Sequence, residues 1–261
     1  METDSAIDRS DRWDIRHFPT IDSTNRWVLD EARAGAPSGL VASADHQSAG
    51  RGRLGRAWVA PPGTSLLVSV LLRLEIELEK VNTVAMATSL ALLEGLPSEL
   101  SSRSGLKWPN DVVVGDRKLA GVLAESILPP GDKSNSPEIA VVVGVGCNLE
   151  QKEFPAEVSA IATSCALELE KTITRDDLLN SFLSRLAFWS DEISSGNHWS
   201  VISAYRARLV TLGTSVRVDL GNETFEGVAT DIDSSGRLLV TKINGEHVVV
   251  SVGDVVHLRS F

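Results

Sequence analysis

The sequence predicts an α/β chain of the α+β kind: a mixed sheet flanked by helices, followed by a small all-β barrel. Two observations carry this. Up to about residue 212, strand-length apolar runs alternate with helical periodicities. From Gly213 onward, short β-prone runs are separated by turn signals with no helix between them. The 261 residues are 43% hydrophobic and 23% charged, which excludes a disordered chain. The segments divide as a flexible tail over 1–14, an α/β domain over 15–212 and a barrel over 213–261.

Each element has a local reason. Ile15 to Ile21 reads as a short strand, and Asn25 to Ala34 as a helix with Trp27, Val28 and Ala32 on one face. Gly39 to Ala44 is a second strand. His46 to Arg56 has no periodicity, and a connector of that length points to function. Ser65 to Leu72 is a buried strand. Val81 to Leu93 is a helix with Val81, Val84, Ala85, Thr88 and Leu92 on one side. Leu106 to Trp108, Val112 to Val114 and Lys118 to Ile127 are strands broken at Pro109-Asn110 and Gly115-Asp116. Leu128 to Pro137 is a Pro/Gly/Ser loop, and Ile139 to Val145 another buried strand. Thr174 and Asp177 form a variant capping box ahead of a helix to Ile193, carrying Leu178, Leu179, Phe182, Leu186 and Trp189 on one face. A last helix covers Trp199 to Leu209. The barrel strands are Val216–Val218, Thr224–Thr230, Leu238–Lys242, Val248–Ser251 and Val255–Leu258.

The net charge of −10 makes the whole surface a poor grip for nucleic acid, so no DNA partner is expected. No apolar run reaches the ~18 residues of a membrane helix. Two cysteines, Cys147 and Cys165, form neither a disulfide framework nor a zinc cluster. With no signal-peptide core near the start, the expected compartment is the cytoplasm.

Against that acidic background, Gln47 to Trp58 is a concentrated basic patch. Arg51, Arg53 and Arg56 stand there with no acid from His46 to Trp58. Glycines 50, 52 and 55 let the backbone approach a ligand, and the guanidinium fork suits carboxylates and phosphates. These glycines also spell G-x-G-x-x-G. Pro61, Pro62 and Gly63 stand where a dinucleotide-binding helix would run, so that reading is rejected. Lys107-Trp108-Pro109-Asn110-Asp111 places polar groups on a turn, and Lys118 follows at the head of an apolar strand. Ser23-Thr24-Asn25 offers hydroxyls and open N–H groups at a helix start. Gly144 to Asn148 ends a buried strand with two glycines and an amide. Singly, each has a plain structural reading as a cap, a turn or a packed strand end.

Together and in this order, these segments resemble the biotin protein ligases: Asp22-Ser23-Thr24-Asn25, Gln47 to Trp58, Lys107 to Asp111, Arg117 to Gly121, Gly144 to Asn148, and a terminal barrel. The resemblance implies an SH3-like form for that barrel. It also implies ATP-dependent adenylation of biotin, then transfer to a lysine of the biotin carboxyl carrier domain of acyl-CoA carboxylases. Carried over by position, Ser23, Thr24 and Gln47 hold the ureido ring, with Asn25 also on the biotin side. Arg51, Gly52 and Arg53 close over biotin and phosphates. Lys118 meets the biotin carboxylate and the α-phosphate. Trp58 stacks on adenine, with Arg56, Asn110 and Asn148 also on the nucleotide side. Lys118, Arg53 and Asp111 form the catalytic set, Asp111 orienting the acceptor amine or a metal. ATP and biotin are the implied substrates with Mg²⁺, and no protein metal site is assigned. Some family members carry an N-terminal helix-turn-helix. The ~14 residues before the first strand are too few for one, so the monofunctional type is expected. A monomer or weak homodimer is expected.

Three other readings are weighed. A lipoate or octanoate ligase shares the adenylate logic, but Ser23, Thr24 and Gln47 suit a ureido ring better than a linear chain. A non-catalytic biotin sensor does not need Lys118. An interaction module does not explain the arginine loop.

Overall fold

The computed structural model describes residues 12–128, 138–221, 223–251 and 253–258. A seven-stranded mixed sheet is built from β1 (Asp14–Phe18), β2 (Leu40–Ala44), β3 (Ser65–Glu75), β4 (Ser104–Lys107), β5 (Asp111–Val114), β6 (Arg117–Ile127) and β7 (Glu138–Asn148). Its order is β1-β2-β3-β7-β6-β5-β4, with only the β1–β2 pair parallel.

Six helices attend the sheet: α1 (Thr24–Arg33), α2 (Asn82–Gly95), α3 (Ser98–Arg103), α4 (Cys165–Glu168), α5 (Arg175–Ser194) and α6 (His198–Arg208). Strand alternation divides the core. Val41, Val68, Val70, Val143 and Val145 pack with α2, α5 and α6 on one face. Ala42, Leu71, Ala140 and Val142 pack with Val28, Leu29 and Ala32 of α1 on the other.

A second, five-stranded antiparallel sheet follows: β8 (Ser215–Asp219), β9 (Thr224–Ile232), β10 (Leu238–Lys242), β11 (His247–Val250) and β12 (Asp254–His257), in the order β11-β10-β9-β8-β12. Its inward residues Val216, Val218, Ala229, Leu238 and Val240 belong to the same apolar core as α2 and α5. Trp108 joins the two sheets: its N–H donates to Thr211 Oγ1 (2.9 Å) and its Nε1 to the Gly236 carbonyl (3.0 Å).

Several elements depart from the sequence reading. β1 ends at Phe18 rather than Ile21, because Pro19 has no N–H to continue a ladder. Arg12, assigned to the tail, is held by Asp191 Oδ1 at 2.6 Å and Ser190 Oγ at 2.8 Å. The tail up to residue 11, and the loop after Leu128 up to Pro137, lie outside the described residues. α2 is buried on nearly every side rather than on one stripe, since Thr83, Met86, Ala87, Ser89, Leu90 and Ala91 are buried too. It lies between the large sheet and α5 and α6, and Met86 meets Gly236 of the second sheet, which leaves almost no solvent face. Thr174 caps α5 as expected: its Oγ1 accepts from Asp177 N (3.1 Å) and donates to Asp177 Oδ2 (2.6 Å).

Candidate active site

The site face of the large sheet is bared by glycines. Gly121 on β6 pairs with Gly146 on β7, and Gly144 lies two residues along the same face. A Cβ on Gly146 would stand 2.5 Å from Trp58 Cε2, and one on Gly121 3.0 Å from Lys118 Nζ. One on Gly144 would stand 2.2 Å from Asn25 Oδ1. These three positions are therefore glycine because the side chains of Trp58, Lys118 and Asn25 lie over the strands there.

One corner of this floor is the start of α1. Ser23 is the N-cap, and the Thr24 N–H donates to Gln47 Oε1 (2.8 Å). Thr24 Oγ1 also lies 3.1 Å from Gln47 Oε1. Ser69 Oγ on β3 is 2.8 Å from Thr24 Oγ1 and 2.7 Å from Asn25 Oδ1. Ser23, Thr24, Asn25 and Ser69 are all buried. The result is an array of neutral donors and acceptors at the head of an amphipathic helix.

The opposite corner is cationic. A register shift in β5–β6 turns Lys118 toward the site, where its Nζ lies 2.6 Å from Asp111 Oδ1 and 5.6 Å from the Trp58 ring centre. The backbone of Lys118 is gripped by a segment absent from the sequence reading: its N–H donates to the Ile161 carbonyl (2.7 Å), and Thr163 N–H to its carbonyl (2.9 Å). Asn110 pins the turn below, with Nδ2 donating to the Val122 carbonyl (2.5 Å) and Oδ1 accepting from Arg53 Nη1 (3.3 Å). Tyr205 of α6 supports the same turn from behind, donating to the Pro109 carbonyl at 3.1 Å. Complete burial pushes its phenol pKa up, reinforced by Asp111 and opposed by Arg53, so it stays a donor.

The arginine segment, expected as an irregular loop, is a short hairpin-like arch. Arg51 bridges to Ala57, Trp58 N–H donates to the Gly50 carbonyl (3.0 Å), and Gly52 N–H to the Arg56 carbonyl (2.7 Å). Leu54 at its tip has φ 55°, a left-handed residue without glycine's freedom. The arch brings Arg53, Trp58 and Lys118 to one region. Arg53 Nη2 also reaches the Gly253 carbonyl of the second sheet at 3.5 Å. Arg56 stays on the exposed return of the arch. Asn148 is buried, and its Nδ2 donates to the Thr163 carbonyl (2.9 Å), which ties the end of β7 to the 151–163 segment.

Residues 17–148 match the biotin/lipoate A/B protein ligase family, and residues 211–258 match the biotin protein ligase C terminal domain. The chain belongs to the biotin protein ligase family. The biotin–[acetyl-CoA-carboxylase] ligase of Mycobacterium tuberculosis is 38% identical over 91% of this chain and 86% of its own length. The enzyme of the same description from Paracoccus denitrificans is 30% identical over 87% and 94%. The solved biotin protein ligase of Aquifex aeolicus, in complex with biotin and ATP, superposes with a TM-score of 0.78. It is 26% identical and covers 95% of this chain and 99% of that one.

Sequence reasoning missed three residues that the structure brings to this candidate site. Ser69 was legible as one of two hydroxyls, with Ser65, on the site-facing parity of an apolar strand. Glu125 shares a strand face with Gly121, but its partners Asn25 and Arg51 come from distant segments. Tyr205 carried no local signal: it is one aromatic among several on the last two helices.

Proposed function

We infer that this chain joins biotin to ATP and transfers it to a carrier lysine, with the two corners of the glycine floor dividing the work. The observation that carries this division is the neutral Thr24–Gln47–Ser69 corner facing the cationic Lys118–Arg53 corner across Gly121 and Gly146. An uncharged ureido ring needs fixed neutral donors and acceptors, which the first corner supplies. A carboxylate and a triphosphate need cations, which the second supplies.

In the first step a biotin carboxylate oxygen attacks the α-phosphorus. The bond to the β-phosphate oxygen breaks, and pyrophosphate leaves. Lys118 and Arg53 offset the repulsion between the anions and the charge that builds on the phosphoryl oxygens. Trp58 lies on the sheet as a flat apolar surface suited to adenine, with Arg56 and Asn110 on the nucleotide side. Asn148 contributes by holding the 151–163 segment against Lys118. Mg²⁺ would enter as part of the MgATP substrate, where it offsets phosphate charge. In the second step the neutral ε-amine of the carrier lysine attacks the acyl carbon. AMP leaves, and the amine gives up its proton. Asp111, facing the floor beside Lys118, orients that amine. The arch and Gly52 exclude water from the reactive anhydride.

The partner is a biotin carboxyl carrier domain. No helix among the described residues is long and apolar enough to cross a membrane. Cys147 and Cys165 are both free thiols, which supports a reducing, cytoplasmic setting.

The test is ATP–pyrophosphate exchange with biotin, lipoate and octanoate in parallel, followed by biotinylation of a purified carrier domain. Exchange with biotin alone is expected. Exchange with lipoate or octanoate in its place would move the chain to the sister ligases. Biotin binding without exchange would leave a sensor.

A further inference from the structure

A carboxylate inside a site for a carboxylate and a triphosphate is electrostatically adverse, and Glu125 is one. It projects from β6 on the same face as Gly121 and has only 25% of its side chain exposed. Its Oε2 accepts from Asn25 Nδ2 (2.8 Å), and its Oε1 accepts from Arg51 Nη2 (2.9 Å). Asn25 is itself held on two sides. It is pressed against the Gly144 backbone and holds Ser69 Oγ at 2.7 Å through its other amide atom. Arg51 is the first foot of the arch, and Trp58, over Gly121 and Gly146, is the second. Their side chains reach β6 at Glu125 and Gly121, four residues apart, about 13 Å along the strand.

We propose that Glu125 is a positioning residue that locks the neutral corner at Asn25 to the Arg51 foot of the arch. Two donors converge on it, and each needs an acceptor. A carboxylate offers two acceptor oxygens, whereas a carboxamide offers one and turns an N–H toward the other donor. Glutamate therefore serves both partners where glutamine serves one. Its negative charge is neutralised by Arg51, so the site keeps its affinity for anions. Glu125 touches neither reacting atom. It acts by fixing the arch over the same strand that carries the neutral corner, so a ring seated at Thr24 and Asn25 meets an arch already in place.

The proposal rests on the biotin-adenylating reading, and the test separates the two. Glu125→Gln, Arg51→Ala and the double variant are compared in pyrophosphate exchange with biotin varied. Glu125→Gln is expected to raise the KM for biotin about tenfold while kcat stays within about threefold. In the Arg51→Ala background the same change is expected to add less than twofold, because its target is gone. Glu125→Asp, which keeps two acceptors, is expected to fall between wild type and Glu125→Gln. Independent, multiplying effects in the cycle, or a wild-type KM in Glu125→Gln, would overturn the proposal. Limited trypsin digestion reads the arch without any turnover. Cleavage after Arg53 and Arg56 is expected to be several-fold faster in Glu125→Gln than in wild type. Absence of exchange in the wild type would refute the activity reading alone. Equal cleavage rates would refute the lock alone.

Discussion

Gly146→Ala tests whether the bare floor sets the chemistry. The added methyl would lie 2.5 Å from Trp58 Cε2, 2.8 Å from Cδ2 and 2.9 Å from Cζ2. Carbon atoms rest at about 3.5–4.0 Å, so the indole must lift about 1 Å off the sheet. Trp58 sits on the arch and is half-buried, so the arch can rise without disturbing the main core. The stability cost is then near the lower end of overpacking, about 1 kcal/mol, or about 2–4 °C in Tm. The catalytic cost is larger. Lys118 Nζ lies 5.6 Å from the same ring, and a 1 Å displacement of a positioned group lowers rate about 100-fold. The assay is biotin-dependent pyrophosphate exchange with ATP varied, beside a thermal melt. A near-native Tm with kcat/KM for ATP down about 100-fold is expected. Values within twofold of wild type in both would refute the argument that Trp58 on this floor handles the nucleotide.

Lys118→Met keeps the length of the stem and removes the charge; exchange is expected to fall at least about 100-fold, read with saturating biotin. Asp111→Ala is expected to slow transfer to a carrier domain more than exchange, and intact carrier biotinylation would remove Asp111 from the second step. Tyr205→Phe leaves the Pro109 carbonyl without its donor and is expected to cost about 1 kcal/mol in urea unfolding. His257 and His198 have lowered pKa values, chiefly from burial, with Lys107 and Lys80 respectively adding to it. The unfolded chain therefore binds protons first as pH falls below about 6.5, and stability is lost from there down through the lowered folded values. The urea midpoint should be lower at pH 5.5 than at pH 7.5, and His257→Gln should reduce that difference.

The strands and helices were legible wherever a local pattern specifies them. The run Glu138–Asn148 alternates glycine with valine toward its end, and its site-facing parity could be read directly. Thr174 and Asp177 announced the start of α5 before any fold was known. α2 misled because periodicity reports solvent on one side, and this helix has almost none. The arch misled in the opposite way: its order comes from Gly50, Gly52 and Arg56 pairing across a turn, which no apolar rhythm records.

What the sequence determined by itself was the chemistry available: three arginines in a glycine-rich segment, a lysine heading a strand, hydroxyls at a helix start and glycines in a buried strand. Residue type and close spacing decide those, because they act over a few bonds. Only the tertiary structure decided which of them meet. Glu125 lies 100 residues from Asn25 and 74 from Arg51, and Tyr205 lies 96 from the carbonyl it supports. Such partners are chosen by strand order and register, and a hydrogen bond exists only once packing has brought its donor and acceptor within about 3 Å.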